Sequence, residues 1–144
     1  GANLPRAAMR EAMAEAALAA AVPAPVYRRL QADVRDGHCG LLPEERLPGM
    51  TRIQIARDRA MAEALRSLAM ADRRRDPAQS GRVVLLVTGA NHADATRGVP
   101  LHLIGSGLVL HGVRLAAGAA IGERTAGFDE TWPTPPLPAQ GHCA

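Results

Sequence analysis

A run of β-formers, Val83-Val84-Leu85-Leu86-Val87-Thr88, ends in Gly89-Ala90-Asn91-His92 and leads through Arg97 to Gly98-Val99-Pro100. A continuous apolar run of this length predicts a strand buried on both faces, as in a parallel sheet. The turn at Gly89 then places Asn91 and His92 just past the strand's carboxyl end, where open α/β sheets bind ligands. His92 is therefore the leading candidate for a functional side chain.

The 144 residues suffice for one core and are too few for two domains of ordinary size. Hydrophobic residues make up 47% of the chain but aromatics only 2%, so the core must be built from Ala, Leu, Val, Ile and Met. The formal charge of +3 comes entirely from arginines, since the chain has no lysine. They are scattered apart from Arg73-Arg74-Arg75, which has no aromatic neighbours, and a nucleic-acid groove needs a clustered basic stripe with stacking side chains. Nucleic acid is therefore not an expected partner. No stretch approaches the roughly 18 to 20 apolar residues that span a bilayer.

The chain opens almost directly into a helix, with Asn3 as N-cap and Pro5 in the first turn, running through an alanine-rich segment to Ala21. No strand precedes it, which predicts an α/β domain lacking its N-terminal strands. Val22-Pro23-Ala24-Pro25 breaks this helix, and a shorter one is expected over 26–34. Loop chemistry from Asp36 to Gly49 precedes the longest expected helix, over 50–71. Ile53, Ala56, Ala60, Ala64 and Leu68 form its expected core stripe, widened by Met61 and Leu65. Gln54 and Asp58 share the adjacent face at i, i+4 spacing. Residues 73–81 read as a solvated linker. After the strand at 83–88, a short helix is expected over 100–105 and a second strand over 107–115. Pro133, Pro135, Pro136 and Pro138 predict an extended tail without regular structure, with Trp132 anchoring it to the domain.

Cys39 and Cys143 lack zinc-ligand spacing. Each adjoins a histidine, His38 or His142, so two readings stand: a long-range disulfide or inert thiols, which is preferred, and a mixed Cys/His metal site.

Four blocks occur in order: Ala2-Asn3-Leu4-Pro5-Arg6; His38-Cys39-Gly40 with Leu42-Pro43; Gln54 through Arg57-Asp58 to Met61-Ala62; and Gly89-Ala90-Asn91-His92 with Gly98-Val99-Pro100. Together they resemble the ChaN-like haem-binding uptake proteins, relatives of the Tiki metalloproteases and erythromycin esterases. The tail FDETWPTP is similar to the ending of that family. The resemblance implies the C-terminal portion of a single ChaN-like α/β domain, a mainly parallel sheet flanked by helices. Its first strand, ending in a Gly-Glu-x-His type motif, has no counterpart among these residues. It further implies a non-catalytic haem-binding protein of bacterial iron and haem uptake, with haem as ligand and a homodimer as a natural way to share so large a group. Family members are typically exported lipoproteins of the bacterial envelope, which would suit a Cys39–Cys143 disulfide and attachment to the membrane only through a lipid anchor upstream. The alternative is a metal-dependent hydrolase of the Tiki or esterase kind, with zinc or another divalent ion.

His92 is the expected haem or metal ligand, since neutral imidazole ligates iron or zinc. Asn91 is a turn-former and candidate orienter, Arg97 a candidate partner for a haem propionate. Tyr27 is the only tyrosine, and phenolate is a haem-iron ligand, although a helix-face tyrosine more often packs. Asp58 with Gln54 reads as a structural network, and His102 and His111 as structural.

Overall fold

A computed structural model describes residues 4–75, 83–138 and 143. Among these residues the helices α1 (Arg6–Ala14), α2 (Ala24–Gly37), α3 (Leu47–Arg75) and the single turn α4 (Ala90–Ala93) precede the strands β1 (Val113–Ala117) and β2 (Glu130–Thr134). Among the described residues, 3-10 turns at Ala16–Ala21, Glu44–Arg46 and Val99–Leu103 connect them. Within the described residues, no helix is long and apolar enough to cross a membrane.

The alanine-rich first helix is shorter than its propensity predicts. α1 begins after Pro5, stops at Ala14 and gives way to the 3-10 turn at Ala16–Ala21; the expected N-cap, Asn3, lies outside the described residues. Packing supplies the reason. Ala12, Leu18 and Val22 are all buried in one cluster with Leu30 and Ile55. In an unbroken helix Ala12 and Leu18 would point about 120° apart, so the break at Glu15 is what lets both face α3. Arg52 of α3 donates from Nε to the Met13 carbonyl oxygen at 3.0 Å and so caps the end of α1. The second helix is found as expected and longer, ending where Cys39 and Gly40 turn into positive φ and the Gly40 amide bonds back to the Arg35 carbonyl.

α3 is also longer than predicted, extending to Arg75 over part of the expected linker; 76–82 lie outside the described residues. Its core stripe is rotated from the expected one. Leu47, Thr51, Ile55, Asp58, Met61 and Ala62 are buried, whereas Leu68 is exposed and Ile53 only half-buried. The stripe follows the two partners it must serve. Its N-terminal half meets α1, α2 and the first cluster; its C-terminal half meets a second cluster of Met61, Ala62, Val99 and Leu103, flanked by Leu86 and Leu108.

The expectation of a strand at 83–88 buried on both faces is not met. Val83 to Thr88 has no assigned secondary structure and belongs to no ladder among the described residues. Its burial alternates, with Val83, Leu85 and Val87 exposed and Val84, Leu86 and Thr88 half-buried. Among the described residues, only one side of this segment has anything to pack on. The sheet that does form is parallel, as expected, but small. β1 pairs with β2 in the register Val113↔Glu130 to Ala117↔Thr134, so the strand expected over 107–115 overlaps β1 but begins later than predicted, at Val113. β2 also corrects the expectation of an irregular tail, since it includes Pro133. In a two-stranded sheet both strands are edges, and a proline whose missing N–H would face outward costs no ladder bond. Trp132 lies in this strand and is half-exposed, its indole N–H donating to Glu130 at 2.7 Å.

Cys39 and Cys143 form a disulfide, with Cα atoms 5.4 Å apart. This decides between the two readings left open by their spacing, and it ties the end of the chain to the end of α2.

Candidate functional site

Gly89 accepts the first backbone bonds of α4, through its carbonyl to the amides of His92 and Ala93. This single helical turn projects His92 toward the middle of α3. There the imidazole Nδ1 lies 2.5 Å from Asp58 Oδ1, and the Gln54 amide nitrogen lies 3.0 Å from each ring nitrogen. Asp58 is 1% exposed and the His92 side chain 13%, so the pair sits inside the protein with one edge of the ring reachable.

The burial of Asp58 pushes its carboxyl pKa up, opposed by the hydrogen bond and charge of His92. Its second oxygen, Oδ2, is buried without a hydrogen-bond partner among the described residues. A carboxylate in that setting accepts the Nδ1 proton and fixes the tautomer, leaving the Nε2 lone pair as the acceptor or ligating atom. Gln54 then donates to Nε2. His102, on the 3-10 turn Val99–Leu103, acts electrostatically on Asp58. Burial pushes its own pKa down, and its Nε2 is likewise buried and unpartnered among the described residues.

The position of α4 depends on a close backbone approach. A Cβ on Gly98 would lie 2.2 Å from the His92 carbonyl oxygen and 2.7 Å from that of Asn91. Gly98→Ala should therefore displace α4 and lower stability by about 1–3 kcal/mol, as overpacking does. Urea denaturation checks this, and an unchanged midpoint would contradict the contact. Asp94 completes the loop. Its Oδ1 accepts from the amide and hydroxyl of Thr96 at 2.8 and 2.6 Å, and it packs against Gly127, whose φ of +88° and closeness to Asp94 leave no room for a side chain.

The other candidates are placed as follows. Arg97 is mostly buried and internally engaged. Its guanidinium is ion-paired with Asp33 of α2 at 3.0 Å and Asp94 at 3.1 Å, and donates to Asn91 Oδ1 at 3.0 Å. Asn91 thereby links Arg97 to the turn that carries His92. Tyr27 packs against the first hydrophobic cluster and does not join the Gln54–Asp58–His92 group. His111 is exposed beside Glu130 and Asp129. Glu130, held by Trp132 and His111, has its pKa lowered.

The sequence reading grouped Gln54 with Asp58 but did not couple either to His92, and it missed Asp33 and Asp94. One clue to Asp58 was available: it falls on the apolar spacing that runs from Leu47 through Thr51 and Ile55 to Ala62, where a charged side chain needs a partner. A cleft of about 580 Å³ between α1 and α3 is lined by Ala8, Ala12, Ala56, Ala60, Arg59 and His102, among others, and does not include His92. No group of three or more His, Cys, Asp or Glu residues that could hold a metal occurs among the described residues.

A family model described as haem-binding uptake, Tiki superfamily, ChaN matches residues 1–103. The match includes all four motif blocks and stops before the tail at 128–135. No curated protein and no solved structure matches the chain.

Proposed function

This chain belongs to the ChaN family of haem-binding uptake proteins in the Tiki superfamily, and from that premise we propose that it binds haem as cargo, with His92 Nε2 as the iron ligand. The observation that carries the reading is the buried Asp58 beside His92 Nδ1 at 2.5 Å. Haem-ligating histidines need one nitrogen anchored and the other free to donate its lone pair, and a carboxylate partner raises the basicity of that donor. The donor set at His92 suits this task. Gln54, whose amide nitrogen lies 3.0 Å from Nε2, would have to give up that contact for His92 to hold the haem iron. Asn91 and Arg97 act in support, since Arg97 is already bonded to Asp33, Asp94 and Asn91 and serves to hold α4 in place. The protein holds its ligand without turning over a substrate.

The hydrolase alternative is not favoured by the family description, which names haem-binding uptake. Location in the bacterial envelope belongs to the same proposal, and an oxidising compartment is where a disulfide such as Cys39–Cys143 persists. Absorbance titration with hemin tests the reading. The expected result is a saturable Soret shift, unchanged in a His111→Ala variant, whose histidine is exposed beside Asp129 and Glu130. A featureless titration would sink the haem reading.

A further inference from the structure

The two strands are joined at their entrance by a group of charged side chains that the haem reading does not use. Gly112 stands one residue before β1. Its carbonyl accepts the amides of Asp129 and Glu130 at 2.9 and 3.2 Å, and its own amide donates to Asp129 Oδ2 at 2.7 Å. The preceding residue, His111, lies between the two carboxylates. Its Nε2 is 2.9 Å from Glu130 Oε1 and its Nδ1 is 3.7 Å from Asp129 Oδ2. The other oxygen of Glu130 accepts from the Trp132 indole at 2.7 Å. Asp129 and Glu130 are thus the titratable groups that face the imidazole. Arg114, the cation on β1, is engaged elsewhere, donating to the Thr125 hydroxyl at 2.8 Å.

We infer that His111 is a proton-operated latch on the β1–β2 pair, closed when the ring is an imidazolium and loosened when it is neutral. A neutral imidazole has one N–H, so with Nε2 donating to Glu130 it turns the Nδ1 lone pair toward the Asp129 carboxylate. The imidazolium has a donor on each nitrogen and offsets two adjacent negative charges. Hydrogen bonds from Trp132 and His111 hold the Glu130 carboxyl below its usual range, so Glu130 stays ionised while the ring titrates. Exposed ion pairs contribute little, and these three side chains are each about half-exposed. Here a small contribution suffices. A two-stranded sheet is marginal by itself, parallel pairing is slightly the weaker kind, and neither strand contributes to the two core clusters. The latch therefore favours strand pairing at mildly acidic pH, and that contribution is lost as the pH rises through the imidazole range. The Cys39–Cys143 disulfide keeps the tail attached when the latch opens, which makes the opening local and reversible.

Trp132 is the only tryptophan of the chain and shares Glu130 with the latch, so its fluorescence reports the state of the latch directly. Its emission is followed from about pH 5 to 8, together with hydrogen exchange of the β1 and β2 amides corrected for the intrinsic effect of pH. The expected result is one emission transition where imidazoles ordinarily change charge, near about pH 6.5. The strand amides should be roughly two- to tenfold better protected on its acid side. His111→Gln keeps a hydrogen-bonding side chain that does not titrate, and should remove both the transition and the change in protection. Glu130→Gln should likewise remove the change in protection. His38→Gln, at the exposed histidine that ends α2, should leave both readouts as in wild type. Three results would each overturn the proposal: wild-type readouts that are flat with pH; a transition that survives His111→Gln; or strand amides better protected on the alkaline side. Hemin is absent throughout, so the outcome does not depend on the haem reading.

Discussion

His92→Ala should weaken hemin binding by more than Asp58→Asn does, and Asp58→Asn should itself weaken it roughly 10- to 100-fold, the usual cost of removing a ligand's hydrogen-bond partner. Asparagine keeps the shape of the aspartate but can present its amide N–H to the ring, which favours the wrong tautomer. The comparison separates two roles: loss of His92 removes the donor atom, whereas loss of Asp58 removes what orients it. Equal affinities for wild type and His92→Ala would exclude this residue from the site. The Asp58→Asn variant carries a second readout. Because burial raises the Asp58 pKa, the folded state keeps its proton to higher pH than the unfolded chain does. The contribution of this carboxyl to stability is therefore present below the unfolded value, about pH 4, and is lost as pH rises through the folded value. Wild type should lose stability relative to Asp58→Asn across that window, measured by urea midpoints. A parallel pH dependence of the two proteins would show that Asp58 does not titrate differently on folding.

Reduction of Cys39–Cys143 is expected to have the largest effect on stability. The bridge joins residues 104 apart in sequence, so it removes a large amount of freedom from the unfolded chain. Closing a loop of that size is worth up to about 4–5 kcal/mol in the chain-entropy account, and measured losses on removing native disulfides run about 2–5 kcal/mol. Against a typical total of about 5–15 kcal/mol, such a loss takes a large share of the margin. Thermal unfolding with and without reductant, and of a Cys39→Ser/Cys143→Ser double variant, measures it. An unchanged midpoint in the double variant would mean that the bridge constrains little.

Some of this architecture was legible from local chemistry. The proline pair at 23 and 25 marks the start of α2, and the 3.6-residue pattern after Pro48 marks α3. The strand-turn pattern at 83–92 singles out His92. What failed did so for tertiary reasons. The stripe of α3 was misplaced because alanines are permitted on several faces, and only the positions of α1, α2 and the Val99–Leu103 turn decide which face is covered. Val83 to Thr88 has the composition of a doubly buried strand but no paired neighbour among the described residues. The proline-rich tail forms a strand because β1 offers it an edge.

The site divides in the same way. By itself the sequence determined the family, through four short blocks in order, and the candidate histidine, through its place after an apolar run. Both are properties of neighbouring residues along the chain. Only the tertiary structure decided what His92 touches. Asp58 and Gln54 lie 34 and 38 residues before it, and Arg97 finds Asp33 at a separation of 64. Local propensity carries no information about contacts at that range. They arise because α3 buries one particular face, and Gly98 lets the backbone of α4 come close enough to complete it.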